Sequence, residues 1–531
     1  MEKDIKKIME KTVTRFRNPD LLDSVKEDSY RVITTYEPVC FDEYPFYDVE
    51  KDKFNYQILN NFLRDSGFIR GKGGDSKNIP LYRYDLDSGF YESVDYAYLD
   101  TYIFRTVVDN GICPAVSSGF DRSLTALLCA LPDTDEVCGC KEYFDLQKYY
   151  EDESTIAFKN GFYNIRYNKF LPLTSCVFRA YHVDVEFNPL ALDNDIGQRY
   201  REMMTSDEEF ELLMELCGNA IYDFDEPLIP TYVLFYGQGS NGKSVVIEAL
   251  QRIIGINQCS SVNLEYMTDP FMLAMCKGKR ANVVPDASKG FVDFSNKFAN
   301  TVSSFIKDTT DGTGWAFNEK HKQGRGIKEP ACAKFIFGSN HYLNLNDTTN
   351  GAKRRFHAVP FTKTFKNDRA LSKRFEGKEE TEWFAMRAFV AFINTIDLAM
   401  GGRQYLDGEN YSAKYIECED SLQLKSQNFA DSNCLTYYLK YCTDVDLSDN
   451  EEVVAYLLNP DNFSEDLYHD MRTYFSDSQD FSKFSCKILN SKLLEYGLIC
   501  SSRPEREGDR VVRHYYIYTL EEYNKRAKQK S

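Results

Sequence analysis

The stretch YVLFYGQGSNGKSVVIEAL, residues 232–250, carries the clearest structural pattern in the chain. Its first five residues favour a strand, and the turn from Gly237 to Ser244 matches G-x-x-x-x-G-K-[ST] at every fixed position. A helix is predicted to begin at this turn. The backbone amides of such a turn, together with the helix dipole, surround a phosphate group. The stretch therefore predicts a nucleotide-binding strand–turn–helix unit.

Two residues of this turn have separate predicted tasks. Lys243 is predicted to neutralise β- and γ-phosphate oxygens, and the Ser244 hydroxyl is predicted to bind Mg²⁺. The other positions supply backbone amides that glycine leaves unobstructed. The predicted nucleotide-binding residues are Gly237, Gln238, Gly239, Ser240, Asn241, Gly242, Lys243 and Ser244.

Length and composition bound the class of protein. A chain of 531 residues is too long for one compact core, and its 43% hydrophobic and 15% aromatic content is that of a folded protein. It has no apolar run long enough to cross a bilayer and no apolar signal core at its start. We expect a cytoplasmic protein without a membrane partner. The fifteen cysteines, including the close pair Cys138 and Cys140, are expected to be reduced thiols rather than a metal site.

The charge is distributed unevenly. A net charge of −18 argues against a protein that binds nucleic acid over its whole surface. Residues 431–480 hold 12 acidic and 2 basic side chains, whereas residues 482–531 hold 11 basic and 6 acidic ones. The basic tail is therefore a candidate nucleic-acid contact.

Hydrophobic periodicity predicts the elements around the turn. The first ~190 residues mix short aromatic strands with helices, including hairpins that turn at 87–89 and 159–161. Residues 231–365 alternate apolar strands with helices, which predicts an α/β unit with a parallel sheet. Residues 382–400 predict a long buried helix, and the last ~100 residues predict a helix, a loop and a basic strand.

Residues 197–224 are predicted to be helical before the sheet begins. Phe210, Leu213, Met214 and Cys217 are expected to lie on one buried face of this helix. Asp85 and Asp87 resemble paired acids, but we expect them to serve a turn, and we predict no primase site there.

Three motifs follow the turn in order: GKRANVVPDAS (278–288), KFIFGSN (334–340) and AKRRFHAVPF (352–361). Together with GQGSNGKS they resemble the superfamily 3 helicases of the phage, plasmid and poxvirus helicase–primase type, over about residues 154–365. The resemblance implies an α/β fold with a P-loop, AAA+-like core. It also implies ATP hydrolysis with Mg²⁺ and a homo-oligomeric ring, a hexamer, that moves along single-stranded DNA during replication.

The resemblance assigns roles to residues beyond the turn. Asp286 stands where the family has the acid that binds Mg²⁺ and polarises the attacking water, and Asn340 corresponds to the sensor of the γ-phosphate. Pro285 interrupts the strand and no second acid follows Asp286, so the identity of the catalytic base stays open. The arginine finger is implied at Arg354 or Arg355, with Arg355 slightly favoured, and it acts on a neighbouring subunit.

Two basic segments are candidate DNA contacts. The segment DGTGWAFNEKHKQGRGIKEP (311–330) corresponds to the family's pore hairpin, and an ordinary solvated loop is the alternative. The basic tail resembles a winged helix, which binds duplex DNA or serves as a protein adaptor. The predicted DNA-binding residues are Lys320, His321, Lys322, Arg325, Arg506, Arg510 and Arg513.

The resulting expectation is a replicative DNA helicase of a phage, virus or mobile element, with a primase or other replication proteins as further partners. An origin-binding, ATP-switched initiator and a DNA-binding scaffold with weakened ATPase are the alternatives, and a small-molecule kinase is a more distant one. The predicted domains are an α+β region (1–190), a helical oligomerisation segment (191–228), an ATPase core (229–365), a helical extension (366–425) and a winged-helix-like domain (426–531).

Overall fold

The computed structural model shows a mixed α/β protein. Among the described residues, each helix is too short or too polar to pass through a bilayer. The described residues are 13–37, 39–48, 50–51, 53–71, 79–110, 130–136, 139–152, 154–179, 181–193, 196–222, 229–288, 297–317, 334–343, 345, 347, 349–365, 373, 375–399, 415–416, 418–431, 434–447, 449–464, 466–477, 486–507 and 510–530.

The N-terminal part of the chain is built from short strands and helices. In chain order these are α1 (Pro19–Asp28), β1 (Val32–Ile33), β2 (Tyr47–Asp48), β3 (Lys53–Phe54), α2 (Tyr56–Asp65), β4 (Phe68–Arg70), β5 (Leu81–Asp85), β6 (Phe90–Val94), α3 (Tyr96–Asp109), α4 (Lys141–Tyr150), β7 (Thr155–Phe158), β8 (Gly161–Asn164), β9 (Lys169–Leu171) and β10 (Leu173–Thr174).

Both predicted hairpins are confirmed. Strand β5 pairs antiparallel with β6, and β7 pairs antiparallel with β8. In the first hairpin the backbone N–H of Ser88 donates to the Asp85 carboxylate at 2.8 Å. The acids of this segment therefore belong to a turn, as the sequence predicts.

The next segment forms two helices, α5 (Ile196–Arg201) and α6 (Asp207–Ile221). The prediction of one helical stretch over 197–224 was wrong at this point. Ser206 begins α6 with a capping box, because its hydroxyl accepts from the Glu209 N–H at 3.1 Å while the Glu209 carboxylate accepts from the Ser206 N–H. The S-x-x-E spacing is visible in the sequence, and it marks a new helix start.

Helix α6 is also buried more completely than the predicted single face requires. Phe210, Leu213, Met214 and Cys217 are buried as expected, but so is every other residue from 209 to 221. The helix therefore lies in the centre of the molecule rather than on its surface.

The central sheet has five strands, all parallel, in the order β12-β13-β14-β11-β15. This confirms the parallel α/β unit predicted for 231–365. In chain order the unit contains β11 (Tyr232–Tyr236), α7 (Lys243–Ile254), β12 (Cys259–Ser260), α8 (Pro270–Leu273), β13 (Ala281–Val284), α9 (Lys297–Thr310), β14 (Lys334–Ser339), α10 (Asn350–Arg355) and β15 (Phe356–Pro360).

The rest of the chain is mainly helical and ends in a two-stranded antiparallel sheet. Its elements are α11 (Lys378–Ala399), α12 (Glu419–Asp431), α13 (Cys434–Cys442), α14 (Asn450–Leu458), α15 (Leu467–Asp477), α16 (Cys486–Leu493), β16 (Leu498–Glu507), β17 (Arg510–Thr519) and α17 (Leu520–Lys530). Helix α11 contains the predicted long buried helix, since its residues from Trp383 to Ile396 are almost all buried.

The apolar core joins segments that are distant in sequence. One cluster includes Phe158 of β7, Leu213 of α6, Val233 of β11 and Phe389 of α11. This cluster crosses the predicted boundary at residue 190. A separate cluster lies within α13 to α16 and the β16–β17 hairpin. The predicted domain boundaries themselves stay predictions.

Helices α6 and α11 touch through a backbone contact and an ion pair. A Cβ on Gly218 would lie 2.1 Å from the Ala388 carbonyl oxygen and 2.6 Å from the Phe392 Cβ. About two turns earlier in α6, the buried Glu211 carboxylate accepts from the half-buried Arg387 guanidinium of α11. Glycine at 218 is therefore required by the close approach of the two helices.

We predict that Gly218→Ala lowers the stability of the protein by about 1–3 kcal/mol, because the added methyl group overpacks this contact. Thermal unfolding of the full chain measures the effect as a lower Tm. Gly351→Ala is the control, since a Cβ there would meet its nearest neighbour at an ordinary 3.4 Å. Equal Tm values for the wild type and Gly218→Ala would contradict the close contact.

Candidate functional site

The strand order places a crevice at the carboxyl end of β11. From β11 the chain crosses to β12 at the sheet edge, returns through β13 and β14, and then passes β11 to form β15. Connections thus leave β11 and β14 in opposite directions. In open parallel sheets, ligands bind where the connections diverge in this way. The loop formed by residues 237–242 lies at this point.

The backbone of the 237–242 loop turns through the left-handed region. Gly239 has φ of 105°, Ser240 has φ of 50°, and Gly242 has φ of 91° at the N-cap of α7. At Gly242 this conformation strongly favours glycine, and Ser240 adopts it despite its side chain. The loop leads directly into the free amides of the first turn of α7. Such an arrangement is an anion-binding backbone.

The loop is tied to the sheet by hydrogen bonds. The buried side-chain amide of Asn241 donates to the Phe361 carbonyl at 3.0 Å, and the Phe365 N–H donates to the Ser240 carbonyl at 2.7 Å. The Gly237 N–H donates to the Ser339 carbonyl at 3.1 Å. Asn241 therefore fixes the loop against the chain that leaves β15.

Lys243 points into the loop and meets Asn340. Its ammonium donates to the Gly237 carbonyl and, at 2.9 Å, to the Asn340 side-chain oxygen. Lys243 is 6% exposed. Burial lowers the pKa of Lys243, and the Asp286 carboxylate opposes this shift. Among the described residues, the hydrogen-bond partners of this cation are neutral, so its charge is not neutralised by a bonded carboxylate.

Asp286 lies beyond the end of its strand. Strand β13 ends at Val284, because Pro285 has no N–H to donate to the sheet. The Asp286 side chain is exposed, as is that of Ser244. The Asp286 carbonyl accepts from the Asn263 side chain at 3.3 Å, and the Asn263 oxygen accepts from the Ser288 N–H at 3.0 Å.

Asn263 is a residue that the sequence analysis missed. It holds the segment after β13 in place, but no motif distinguishes it from other loop asparagines. Gln238 belongs to the predicted set and is exposed, with its amide 3.4 Å from the Tyr236 hydroxyl.

Arg354 and Arg355 lie at the opposite end of the sheet. They end α10, and the next residue, Phe356, pairs with Tyr232, the first residue of β11. The 237–242 loop begins only after Tyr236, so about 13 Å of strand separates the two ends. The chain therefore does not bring these arginines to its own loop.

The two arginines have different surroundings. Arg354 is exposed, whereas Arg355 is 5% exposed. The Arg355 guanidinium pairs with both oxygens of the Asp311 carboxylate and donates to the Gly351 carbonyl at 2.7 Å. Only Arg354 is thus available at the surface, although the sequence favoured Arg355.

A second ionic contact joins α9 to the start of α10. The Lys307 ammonium donates to Asp347 at 2.7 Å, and the Ser303 hydroxyl donates to the same oxygen. The Thr349 hydroxyl donates to the other Asp347 oxygen at 2.6 Å and also caps α10. Burial acts to raise the pKa of Asp347, but these hydrogen bonds hold it at about 2.

We predict that Asp347→Asn destabilises the protein at neutral pH and has less effect in acid. The folded pKa of Asp347, about 2, lies below the ordinary value near 4, so ionisation of this carboxylate stabilises the folded state. Its contribution is complete above about pH 4 and is lost as the pH falls towards 2.

Urea unfolding between pH 7 and pH 3 measures the difference between wild type and variant. Asp145→Asn serves as the control, because it removes a carboxylate that is exposed to solvent. A difference that stays constant down to pH 3 would contradict the shifted pKa.

The predicted pore residues Lys320, His321, Lys322 and Arg325 lie outside the described residues. The aromatic residues before them are described, and they pack inward. Phe305 of α9 makes edge contacts with Trp315 at 5.3 Å and with Phe317 at 6.2 Å between ring centroids. These two rings therefore belong to the core around α9.

The predicted contacts of the basic tail lie on the β16–β17 hairpin. Arg506 and Arg513 are exposed and share one face, because they pair across the strands with Val511 and Pro504. Of Arg510, only the backbone, opposite Glu507, is described. The hairpin follows α16, so the predicted helix and basic strand are present in order, but the loop predicted between them was wrong, since β16 occupies residues 498–507.

Comparison with known proteins gives one family model and a group of solved structures of low sequence identity. A family of unknown function, DUF5906, matches residues 235–355, which run from β11 to the end of α10. A search of curated proteins finds no match. The A form apo structure of the NrS-1 C-terminal region is similar at 13% identity with a TM-score of 0.39, covering 87% of this chain and 98% of that one. A second structure, of NrS-1 residues 305–718, gives 11% identity and a TM-score of 0.37 with the same coverage.

Proposed function

We propose that this protein is a Mg²⁺-dependent ATPase that moves along single-stranded DNA as a ring. Its role would be that of a replicative helicase of a phage, virus or mobile element. The observation that carries the proposal is the buried Lys243 ammonium, whose bonded partners are neutral oxygens, inside a left-handed loop at a helix start. A cation in such a loop fits a polyphosphate chain.

The residues around the loop fit a nucleoside triphosphate with its metal ion. The loop amides and Lys243 would hold the β- and γ-phosphates, and the exposed Ser244 and Asp286 would hold Mg²⁺ directly and through water. When bound, Mg²⁺ neutralises charge on the phosphate oxygens. Asn340, bonded to Lys243 at 2.9 Å, would orient the attacking water without competing for the metal ion.

Arg354 is the arginine finger in this proposal. It is exposed at the amino end of the sheet, while the loop lies at the carboxyl end, which supports action on a neighbouring copy. A guanidinium supplied in this way stabilises charge on the transferred γ-phosphoryl group. Hydrolysis therefore requires a homo-oligomer, for which a hexamer is our proposal.

DNA is proposed to contact two parts of the chain. Lys320, His321, Lys322 and Arg325 would grip a single strand in the channel of the ring. The exposed Arg506 and Arg513 would bind the phosphates of duplex DNA, together with Arg510. A primase or another replication protein is a further proposed partner.

A second function uses the same nucleotide site. An origin-binding initiator would switch with ATP without processive unwinding, and the exposed basic hairpin favours a duplex contact of this kind. A tailed duplex that stays paired while ATP is hydrolysed would support the initiator. A scaffold with weakened ATPase would show turnover that does not rise with single-stranded DNA.

We predict that Lys243→Ala and Arg354→Ala each reduce ATP turnover about a thousandfold, because each removes charge stabilisation from the γ-phosphoryl group. A phosphate-release assay with and without single-stranded DNA measures turnover. Mixing the two variants should restore part of the activity, since a mixed ring contains interfaces with an intact loop and an intact arginine. Lys353→Ala removes one exposed charge from the same helix and serves as the control.

Two results would contradict this prediction. Full activity of Lys243→Ala would exclude the loop as the hydrolytic site. Failure of the mixed variants to recover any activity would exclude an arginine donated between copies.

We also predict that removing Arg506 and Arg513 together weakens duplex DNA binding. The variant should lower the slope of log K against log salt by about 2, as expected for two phosphate contacts. Fluorescence anisotropy at several salt concentrations measures the slope. Arg64→Ala, an exposed arginine of α2, is the control, and an unchanged slope would favour a protein-adaptor role for the hairpin.

A further inference from the structure

We propose that Arg355 is a positioning residue that fixes helix α10, so that Arg354 is presented to the neighbouring copy. This inference rests on the proposed function. Three of its contacts are intramolecular: two with the Asp311 carboxylate and one with the Gly351 carbonyl. At 5% exposure, the guanidinium has no route to a second molecule without leaving these partners.

Helix α10 is short and is anchored to α9 at both ends. At its start, Thr349 caps the helix and bonds to Asp347, which also accepts from Lys307 and Ser303 of α9. At its end, Arg355 pairs with Asp311, the residue directly after α9. A helix of six residues cannot hold its own position by backbone hydrogen bonds alone. The two ionic contacts therefore hold α10 against α9, in addition to its direct continuation into β15.

The anchor at Arg355 also sets the direction of Arg354. Successive residues of an α-helix point about 100° apart around its axis. With Arg355 turned inward onto Asp311, Arg354 is turned to the surface, where it is exposed. Loss of the pair would let the helix end rotate and would misplace the finger without removing it.

The sequence alone does not distinguish the two proposed roles of the adjacent arginines. Arg354 and Arg355 are chemically identical, and a motif alone gives each the same role. An arginine finger works only if the guanidinium group itself is present at its position, 354 or 355. A positioning pair needs only opposite charges facing each other at 311 and 355.

Exchange of the two charges separates these roles. The single variants Asp311→Arg and Arg355→Asp should each lower kcat about a hundredfold, the cost of a misplaced reacting group, with the KM for ATP nearly unchanged. The double variant should recover at least about a tenth of wild-type kcat, because it restores the ionic contact. Adding Arg354→Ala to the double variant should abolish this recovered activity.

The control is Glu211→Gln, which breaks the Arg387–Glu211 pair between α11 and α6. It should lower Tm and leave kcat unchanged, so that a loss of kcat in the single variants is not a general effect of lower stability.

A double variant that regains the wild-type Tm but stays inactive would overturn the proposal, because Arg355 would then be needed for its own guanidinium. Single variants that keep full kcat would overturn it as well. An inactive wild-type protein would overturn the proposed function, and with it the role of Arg355.

Discussion

The parallel pairing of β11 with β14 on one side and β15 on the other is the constraint on which the site depends. It aligns Tyr236, Ser339 and Pro360 at one edge, and this alignment lets the loop after Tyr236 bond to the chain that follows each neighbour. Lys243 and Asn340 meet for this reason, although they are 97 residues apart. The same register sets Phe356 beside Tyr232, and it thereby fixes α10 at the other end of the sheet.

Ionic contacts connect the helices around this sheet. Arg387 and Glu211 join α11 to α6, Lys307 and Asp347 join α9 to the start of α10, and Arg355 and Asp311 join its end. Each pair has one buried member, namely Glu211, Asp347 or Arg355, and removal of its partner would leave that buried charge uncompensated. We infer that these pairs act mainly by excluding other arrangements of the helices.

Much of the secondary structure could be predicted from local sequence patterns. The strand and turn at 232–244, the two N-terminal hairpins and the long helix α11 were predictable, because each is specified by residues adjacent in sequence. The start of a new helix at α6 was also visible in the spacing of Ser206 and Glu209. It was missed because the apolar residues on both sides of this point follow a helical period. The full burial of α6 depends on α11, which no local pattern reveals.

The candidate site was more predictable at the 237–242 loop than at helix α10. Motif spacing brought out Lys243 and Asn340, and the structure joins them. The burial of Arg355 was not predictable, since its partner Asp311 is 44 residues away and is one of many acids in the chain. Asn263 was missed for a different reason. Its side chain bonds to the backbone at Asp286 and Ser288, and a contact with backbone atoms does not depend on the residue type of the partner.

The opposite placement of Arg354 and the 237–242 loop has a consequence for symmetry. If one copy offers the amino end of its sheet to the carboxyl end of the next, two different surfaces meet, and the contact is heterologous. Such a contact leaves a free surface of each kind at the ends of any open chain of copies. The rotation from copy to copy alone decides whether those ends meet or the assembly grows as a helical filament.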